Sequence, residues 1–549
     1  MSTPYDPGAS SANPYLNALL WGTAWNTAAS NGQAANVITY SIDNGSWGLG
    51  FTGAEYTAIN SAIQCFENIC GIDFVRVDST NPTDPSYFEN IAFVAVDSSF
   101  LGDALGMADP PMTGNYLAAD PNVSGVYLNI DGAGFTSSGL VQGGYGYVTL
   151  IHELGHAMGL AHPHDNGGIS TLFPGVTAAF GDFGDYNLNQ GIFTTMSYND
   201  GWQSNFGTNP SLAFGYQGTL MAFDIAVMQL LYGANTSFQT GANTYVLPKV
   251  NSSGTFFSCL WDAGGNDTIS NQNSSIACTI DLRAAPLTGA NAGGFVSWNN
   301  GIVGGYTIAN GVIIENAIGG SGNDQITGNS AANTLNGSSG NDTLIGGTGD
   351  DIYVTDGNDT ITEGSNAGTD TVQSSATATL GSNVENLTLT GSSASNGTGN
   401  TLNNSITGNS AGNGLNGGTG NDTLNGGTGK DVLTGAAGND TFIFNSVVES
   451  AITATTTDVI TDFVKGKDKI NLSAIDAFAS SSANDTFVWN NNPAFNSTTK
   501  GEVRYQKFDQ SGTANDYTMV WIDNDRDTSV EMAIRLTGLH NLTASDFIL

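Results

Sequence analysis

Four of the chain's five histidines fall within Thr149 to His164, T-L-I-H-E-L-G-H-A-M-G-L-A-H-P-H, at His152, His156, His162 and His164. Imidazole is the commonest nitrogen ligand for metals, so this concentration marks a candidate metal site. Leu150, Ile151, Leu154 and Met158 can form one buried stripe, which predicts a helix over 149–158. On such a helix His152 and His156 lie one turn apart on one face and can bind a single ion together. Glu153 sits beside the first of them, angled to reach a water on the metal rather than the metal. Gly159 can take the left-handed conformation that ends a helix and turns the chain, bringing His162 round as third ligand. Three histidines leave a fourth position open for water, the arrangement of catalytic zinc. The chemistry would be hydrolytic. Zinc lowers the pKa of its bound water to about 7, and Glu153 takes the proton and later returns it to the leaving group. A bare H-E-x-x-H arises by chance on solvated or hydrogen-bonded helix faces; the extended H-E-x-x-H-x-x-G-x-x-H, complete here, is far more specific. His164 falls outside it and reads as a neighbour of the site or a surface residue.

The elements before this helix read as a mixed α+β layer. Residues 1–13 form a loose tail, and Pro14 to Leu20 a short helix. Val37–Ile42 is β-branched and aromatic, as strands are. Ile59, Ile63, Phe66 and Ile69 recur at three and four, predicting an amphipathic helix from Glu55 to Cys70 that Gly71 stops. Phe74–Val77 and Ile91–Val96 read as strands either side of a turn-rich Asn-Pro-Thr-Asp-Pro segment. Gly125–Ile130 is a further strand, to which an extended peptide could add by β-augmentation.

At 549 residues the chain exceeds one ordinary core. Its 49 acidic and 12 basic residues give a net charge of -37, which disfavours nucleic acid and anionic membranes and favours divalent cations. The acidity is general, for residues 1–248 hold one basic residue, Arg76. No apolar run is long enough to cross a membrane. The opening M-S-T-P-Y-D-P-G has neither a basic nor an apolar signal region, so no cleaved N-terminal secretory signal is expected. Cys65, Cys70, Cys259 and Cys278 do not match zinc or redox spacings; buried thiols are favoured slightly over disulfides.

After a Gly/Asp/Asn-rich loop comes Thr195-Met196-Ser197-Tyr198. With it, the sequence resembles the metzincin metallopeptidases and, within them, the serralysin family of secreted bacterial proteases. The resemblance implies zinc on His152, His156 and His162, Glu153 as general base, and Met196 as the methionine turn beneath the metal. It also implies a Tyr198 phenol able to ligate zinc or stabilise the oxyanion, with protein or peptide substrates. Ala-Phe-Asp224-Ile-Ala and Leu231-Tyr232-Gly233 are similar to the family's closing helix of the catalytic domain.

The second half becomes a nine-residue repeat, G-G-x-G-x-D-x-U-x, with U a large apolar residue. Copies start at Gly319, Gly337, Gly346, Gly417, Gly426 and Gly435, with an outlier over 262–270. Glycines allow the tight loop, the aspartate offers calcium oxygens and U fills a narrow core, which predicts a parallel β-roll. The candidate calcium ligands are Asp267, Asp324, Asp342, Asp351, Asp422, Asp431 and Asp440. Residues 355–407 depart from the repeat, though Val384 to Thr390 keeps strand character, and calcium is not expected there. Gly408-Asn-Ser-Ala-Gly412 fits a serine-hydrolase motif but lies inside the repeat and is discounted.

The expected architecture is an α+β zincin-like (metzincin) catalytic domain over 1–245, then an all-β calcium-binding β-roll over 246–445 with atypical bridging repeats at 355–407. A C-terminal β region, 446–549, follows. Asp458 to Phe463 and Gly466 to Ile470 resemble the family's roll-closing segment. The ending Asp546-Phe-Ile-Leu549 is similar to its uncleaved type I secretion signal, implying export by a type I apparatus to the extracellular space. A monomer without membrane insertion is expected, with zinc and calcium as cofactors. The rival reading is a non-catalytic calcium-dependent adhesin, against which Glu153 and Tyr198 argue.

Overall fold

In a computed structural model of the chain, the described residues are 4–5, 11–25, 36–43, 45, 49–77, 90–111, 123–209, 211–453, 455–478, 485–492, 494–495, 501–510, 515–525 and 529–549. Most of the predicted tail and the turn-rich 81–85 segment lie outside them. The chain divides into two compact units, Met1–Asn316 and Ala317–Leu549.

The first unit opens with helix α1 (Pro14–Ala18), capped by Asn13, whose side chain accepts from the Tyr15 and Leu16 amides. Next come strand β1 (Val37–Ile42), helix α2 (Gly53–Ile69), and strands β2 (Asp73–Arg76), β3 (Ile91–Val96), β4 (Gly106–Ala108) and β5 (Ser124–Asn129). Helices α3 (Tyr145–Ala157) and α4 (Ala222–Tyr232) follow. The strands form one sheet in the order β2-β1-β3-β5-β4, parallel except for β4, which runs antiparallel to β5. Helix α2 buries the predicted stripe of Ile59, Ile63, Phe66 and Ile69. It ends at Ile69 through an extended Cys70, so Gly71 is not its stop.

The sheet order corrects one expectation. The strand at 124–129 is paired on both sides and buried along its whole length, so it has no free edge for a peptide. Among the described residues the outer strand on that side is β4. The alternation of apolar residues finds strands but not their order in a sheet, which depends on distant pairings.

The rest of this unit is β-rich. Thr244–Val246 pairs in parallel with Thr268–Ser270, and Cys278–Asp281, Ser297–Asn299, Gly305–Ile308 and Phe257–Leu260 pair in that order as part of a larger sheet. All four cysteines are buried free thiols. Burial pushes the Cys65 thiol up to about 11, so it behaves as a small apolar side chain rather than a nucleophile.

In the second unit, short strands stack as a parallel coil consistent with a β-roll. Thr334–Asn336, Ile352–Thr355, Thr371–Ser374, Asn386–Leu389, Ser405–Thr407, Thr423–Asn425 and Thr441–Ile443 pair in succession on one face. The ladder therefore runs unbroken through 355–407. Two nine-residue repeats make one turn, so the backbone partner of a residue stands 18 positions away. Within the bridging stretch the step becomes 19 and then 15. The apolar U residues point inward, with Ile326, Leu335, Leu344, Ile406, Leu424 and Leu433 fully buried. An antiparallel meander, Glu502–Phe508, Tyr517–Asp523 and Met532–Thr537, follows, and a last short strand, Phe547–Ile548, comes after it. Among the described residues no helix is long and apolar enough to cross a membrane.

The narrow core makes each U residue costly to lose, because each is packed between turns above and below. Leu424→Ala should lower unfolding free energy by roughly 2–5 kcal/mol, read from the guanidinium midpoint at saturating calcium.

Candidate functional site

Helix α3 begins four residues before its predicted start, with extended Gly144 preceding it. Gly146 allows this, since a Cβ there would meet the Gly134 carbonyl at 2.6 Å. The helix ends in a Schellman motif. Gly159, at φ +100°, donates to His156 O at 2.9 Å, and Leu160 donates to Gly155 O at 2.9 Å. Trp25 Nε1 donates to Ala157 O and Tyr232 Oη to Met158 O, both at 2.8 Å. This turn brings His162 back over the helix.

His152, His156 and His162 meet at their Nε2 atoms. His162 Nε2 lies 3.1 Å from His152 Nε2 and 2.9 Å from His156 Nε2. Each ring is held from behind at Nδ1. His152 Nδ1 faces Thr195 O at 2.8 Å, His156 Nδ1 faces Leu160 O at 2.9 Å, and His162 Nδ1 faces Asp165 Oδ2 at 2.7 Å. Carbonyl and carboxylate oxygens only accept, so all three Nδ1 atoms carry the proton and all three Nε2 atoms present lone pairs. Three lone pairs aimed at one another repel unless a cation lies among them. Burial holds all three imidazoles neutral, lowering His152 and His156 to about 3 and His162 to about 4. The donor set thus fits zinc.

The acceptor behind His152 is itself fixed. Asp224, fully buried in the first turn of α4, accepts from Thr195 N (2.7 Å), Thr195 Oγ1 (2.9 Å), Thr194 Oγ1 (2.6 Å) and Met221 N (3.0 Å). Met196 is fully buried beneath α3, where a Cβ on Gly155 would meet its sulfur at 2.9 Å. Tyr198 is half-buried, its ring centroid 4.7 Å from that of His162 and 5.7 Å from that of His152. Burial, then the charge of Glu153, pushes its phenol up to about 12. His164 is stacked on His162 (4.7 Å, 21°) and lies 4.5 Å from Tyr198, so it belongs to the site's wall.

Glu153 lies in a cavity of about 320 Å³ that also exposes His152, Tyr198, Tyr145, Val148 and Asp200. It is 7% exposed, and burial pushes its carboxyl up to about 8. Strand β4 covers it: a Cβ on Gly106 would meet Glu153 Cγ at 2.5 Å. Asp200, on the same wall, is raised to about 7 by burial.

The predicted calcium aspartates form ladders of their own. Asp342 Oδ1 accepts from Asp324 N (2.7 Å), Asp440 Oδ1 from Asp422 N (2.9 Å), Asp351 Oδ1 from Asn333 N (2.7 Å) and Asp431 Oδ1 from Asn413 N (2.8 Å). The second oxygens of Asp267, Asp342, Asp351, Asp422 and Asp431 are buried without a hydrogen-bond partner. Burial raises Asp342, Asp351 and Asp431 to about 7. Orphaned buried carboxylate oxygens are what a hard cation satisfies, so these residues fit calcium. Asparagine at the same rung needs no ion: Asn413 Oδ1 accepts from Asn409 N at 2.8 Å, and its amide donates to Ser395 O at 2.7 Å.

Several residues of these sites escaped the sequence reading. Asp359, Asp370 and Asp458 continue the ladders, each with a buried orphan oxygen. Gly357-Asn-Asp359 and Gly368-Thr-Asp370 keep the last three loop residues and could have revealed the first two. Asp351, Glu363 and Asp370 offer oxygens all within 4.8 Å of one another, and the last two lie inside the stretch from which calcium was not expected. Glu363 carries no repeat signature. Asp165 and Asp224 act only through a histidine or the Thr195 backbone; no motif marks Asp165, and the segment that holds Asp224 reveals a helix but not this role.

Comparison with known proteins adds the following. The family described as Peptidase M10 serralysin C terminal matches residues 226–394 and 367–549. A serralysin of Proteus mirabilis is 36% identical over 199 residues, 34% of this chain and 36% of that protein. A serralysin of Photorhabdus laumondii subsp. laumondii is 30% identical over 312 residues, 53% of this chain and 57% of that protein. The metallopeptidase AprA of Pseudomonas marginalis is 35% identical over 201 residues, 34% and 38% respectively. The matched stretches thus span between about a third and three fifths of these relatives' lengths.

Asp224 connects four donors to one carboxylate, so its removal strands them in the interior. Asp224→Ala should cost about 3 kcal/mol or more in chemical denaturation. Through Thr195 it should also weaken metal retention roughly 10–100-fold, measured by competition with a chromophoric chelator.

Proposed function

The chain belongs to the Peptidase M10 serralysin C-terminal family, and on that premise we propose that it is a secreted, calcium-stabilised zinc endopeptidase whose metzincin catalytic domain occupies residues 1–245. The observation that carries this reading is the meeting of three Nε2 lone pairs beside a buried, cleft-facing Glu153. His152, His156 and His162 would hold zinc. Bound zinc supplies Lewis-acid polarisation of the substrate carbonyl and an acidified water.

The chain's own residues then divide the work. Glu153 takes the proton from the attacking water and hands it to the departing amine. Its position is fixed from above by strand β4 at Gly106 and from below by helix α3. The Tyr198 hydroxyl would stabilise the charge developing on the carbonyl oxygen or serve as a further ligand to zinc. Met196 supports the histidine floor through Gly155. An extended substrate pairs with the edge of β4 (Gly106–Ala108) rather than with the 124–129 strand, laying its scissile bond across the cleft.

The roll over 246–445, with its bridging stretch, takes up calcium through Asp267, Asp324, Asp342, Asp351, Asp422, Asp431 and Asp440. We add Asp359, Asp370, Asp458 and Glu363 to that set. Without calcium, crowded buried carboxylates keep the roll unfolded; outside the cell the ion drives its folding. The C-terminal residues are proposed as the type I secretion signal. Phe547 and Ile548 pair in parallel with Ile470 and Asn471, so this segment is accessible to a secretion apparatus only before the roll closes.

Glu153→Gln should retain zinc while losing roughly 10²–10⁴ in kcat on casein. A wild-type protein that stays inactive after zinc and calcium loading overturns the protease reading. Excess EGTA should remove hydrogen-exchange protection from residues 317–549, and full protection there would contradict calcium-driven folding.

A further inference from the structure

The cleft contains a charge that neither the metal site nor the proposed chemistry uses. Asp200 stands on its wall, two residues beyond Tyr198, with Tyr145 and Val148 of helix α3 and Leu105 of the loop before β4 lining the same cavity. Its carboxylate has no hydrogen-bond or ion-pair partner among the described residues. The cation supply explains why. Residues 1–316 contain three basic side chains, and each is engaged elsewhere. Arg76 lies over the Tyr56 ring at 5.2 Å, Lys249 Nζ donates to Gln272 O at 2.6 Å, and Arg283 pairs with Asp281 at 2.6 Å. A partly buried acid with no counter-ion in its own unit is expensive, and it is retained here at the cavity that opens onto the candidate catalytic residues.

The surroundings suit one kind of visitor. Burial, then the charge of Asp200, raises the Tyr145 and Tyr216 phenols. Those rings stand 5.0 Å apart, giving an aromatic flank beside the acid. Val148 and Leu105 provide apolar wall. A long side chain with an aliphatic stem and a cationic tip matches this sequence of surfaces, stem on the apolar wall and charge against the carboxylate. Asp103 also lines the cavity and neither lysine nor arginine does, so an acidic side chain would enter against the charge of Asp200 and Asp103.

We propose that Asp200 is a specificity-determining residue, and that the cleft accepts a lysine or arginine side chain of the substrate immediately beside the scissile bond. This rests on the endopeptidase reading above. It assigns the subsite a substrate class: peptides carrying a basic residue at one fixed position next to the cleaved bond.

The test is a cleavage map of a mixed peptide library by the zinc- and calcium-loaded full chain, followed by kinetics on matched peptides with Lys, norleucine or Glu at the mapped position. Lysine and arginine should be enriched at one position flanking the bond. The Lys peptide should exceed its norleucine analogue in kcat/KM by at least about tenfold, mainly through KM. Asp200→Asn should bring that ratio close to one, and Asp200→Glu should keep a clear preference. Binding of the same peptides to the Glu153→Gln variant, read by fluorescence polarisation, separates the two ideas. No turnover with a retained Lys-over-norleucine preference in binding would sink the protease reading and leave this subsite standing. Turnover without a basic preference, or a preference that Asp200→Asn leaves intact, would overturn the subsite.

Discussion

Three imidazole lone pairs that face one another across about 3 Å are the constraint around which the first unit is built. Neutral rings can be pointed at each other this way only if every Nδ1 proton is committed to an acceptor at the back. The three acceptors come from three different places: the carbonyl of Leu160 inside the helix-ending turn, the carboxylate of Asp165 just beyond it, and the carbonyl of Thr195 from a remote loop. Each has its own reason for being where it is. The left-handed Gly159 places Leu160, Asp165 is tied back by the Gly167 amide, and Asp224 anchors Thr195. What looks like a short motif is therefore the convergence of three supports, one of which begins more than sixty residues away.

The second unit repeats the same physical problem with oxygen in place of nitrogen. Asp342, Asp351, Asp422 and Asp431 each answer one backbone N–H of the neighbouring turn and leave the other oxygen buried without a hydrogen-bond partner. One such group is a cost the fold can bear; a column of them is not, because the burial penalty is compounded by mutual repulsion. The asparagine rungs show the alternative. Asn404 and Asn413 hold the same backbone position and satisfy themselves with amide donors. The chain thus combines rungs whose side chains are satisfied within the protein with rungs that leave a carboxylate oxygen unpartnered, and its net charge of -37 is in part the sum of the latter.

What could be read beforehand followed from periodicity. The 3.6-residue repeat placed His152, His156 and the apolar stripe on a helix, and Gly159 marked its end. The nine-residue repeat placed Ile326, Leu344 and Leu424 inside a narrow coil and their aspartates at its loops. Non-local matters were not legible. The 124–129 strand has the composition of any strand, and nothing local says that both of its edges are taken. Residues 355–407 depart from the glycine pattern but read as bridging repeats with strand character, and backbone pairing runs through them because parallel ladders tolerate steps of 19 and 15 as well as 18. Likewise Asp224 and Asp165 are unremarkable acids until the groups they hold are brought beside them.

The positions hardest to read are those where the site depends on a missing side chain. Gly106 lets strand β4 lie on Glu153, and Gly155 lets Met196 press against the histidine helix. Gly346 leaves open the space bounded by Asp351 Oδ2, Glu363 Oε2 and the Tyr353 hydroxyl. None of the three has a positive φ, so backbone conformation does not require glycine at any of them. What requires it is a neighbouring side chain that occupies the space a Cβ would take. A glycine in a sequence is read first as a turn or a hinge; in a chain with 73 of them, that reading hides the few whose purpose is to leave room. The distinction can be drawn only once the neighbour is known. Here that neighbour is in each case a member of the candidate chemistry: the proposed base, the methionine beneath the metal, or a carboxylate of the roll.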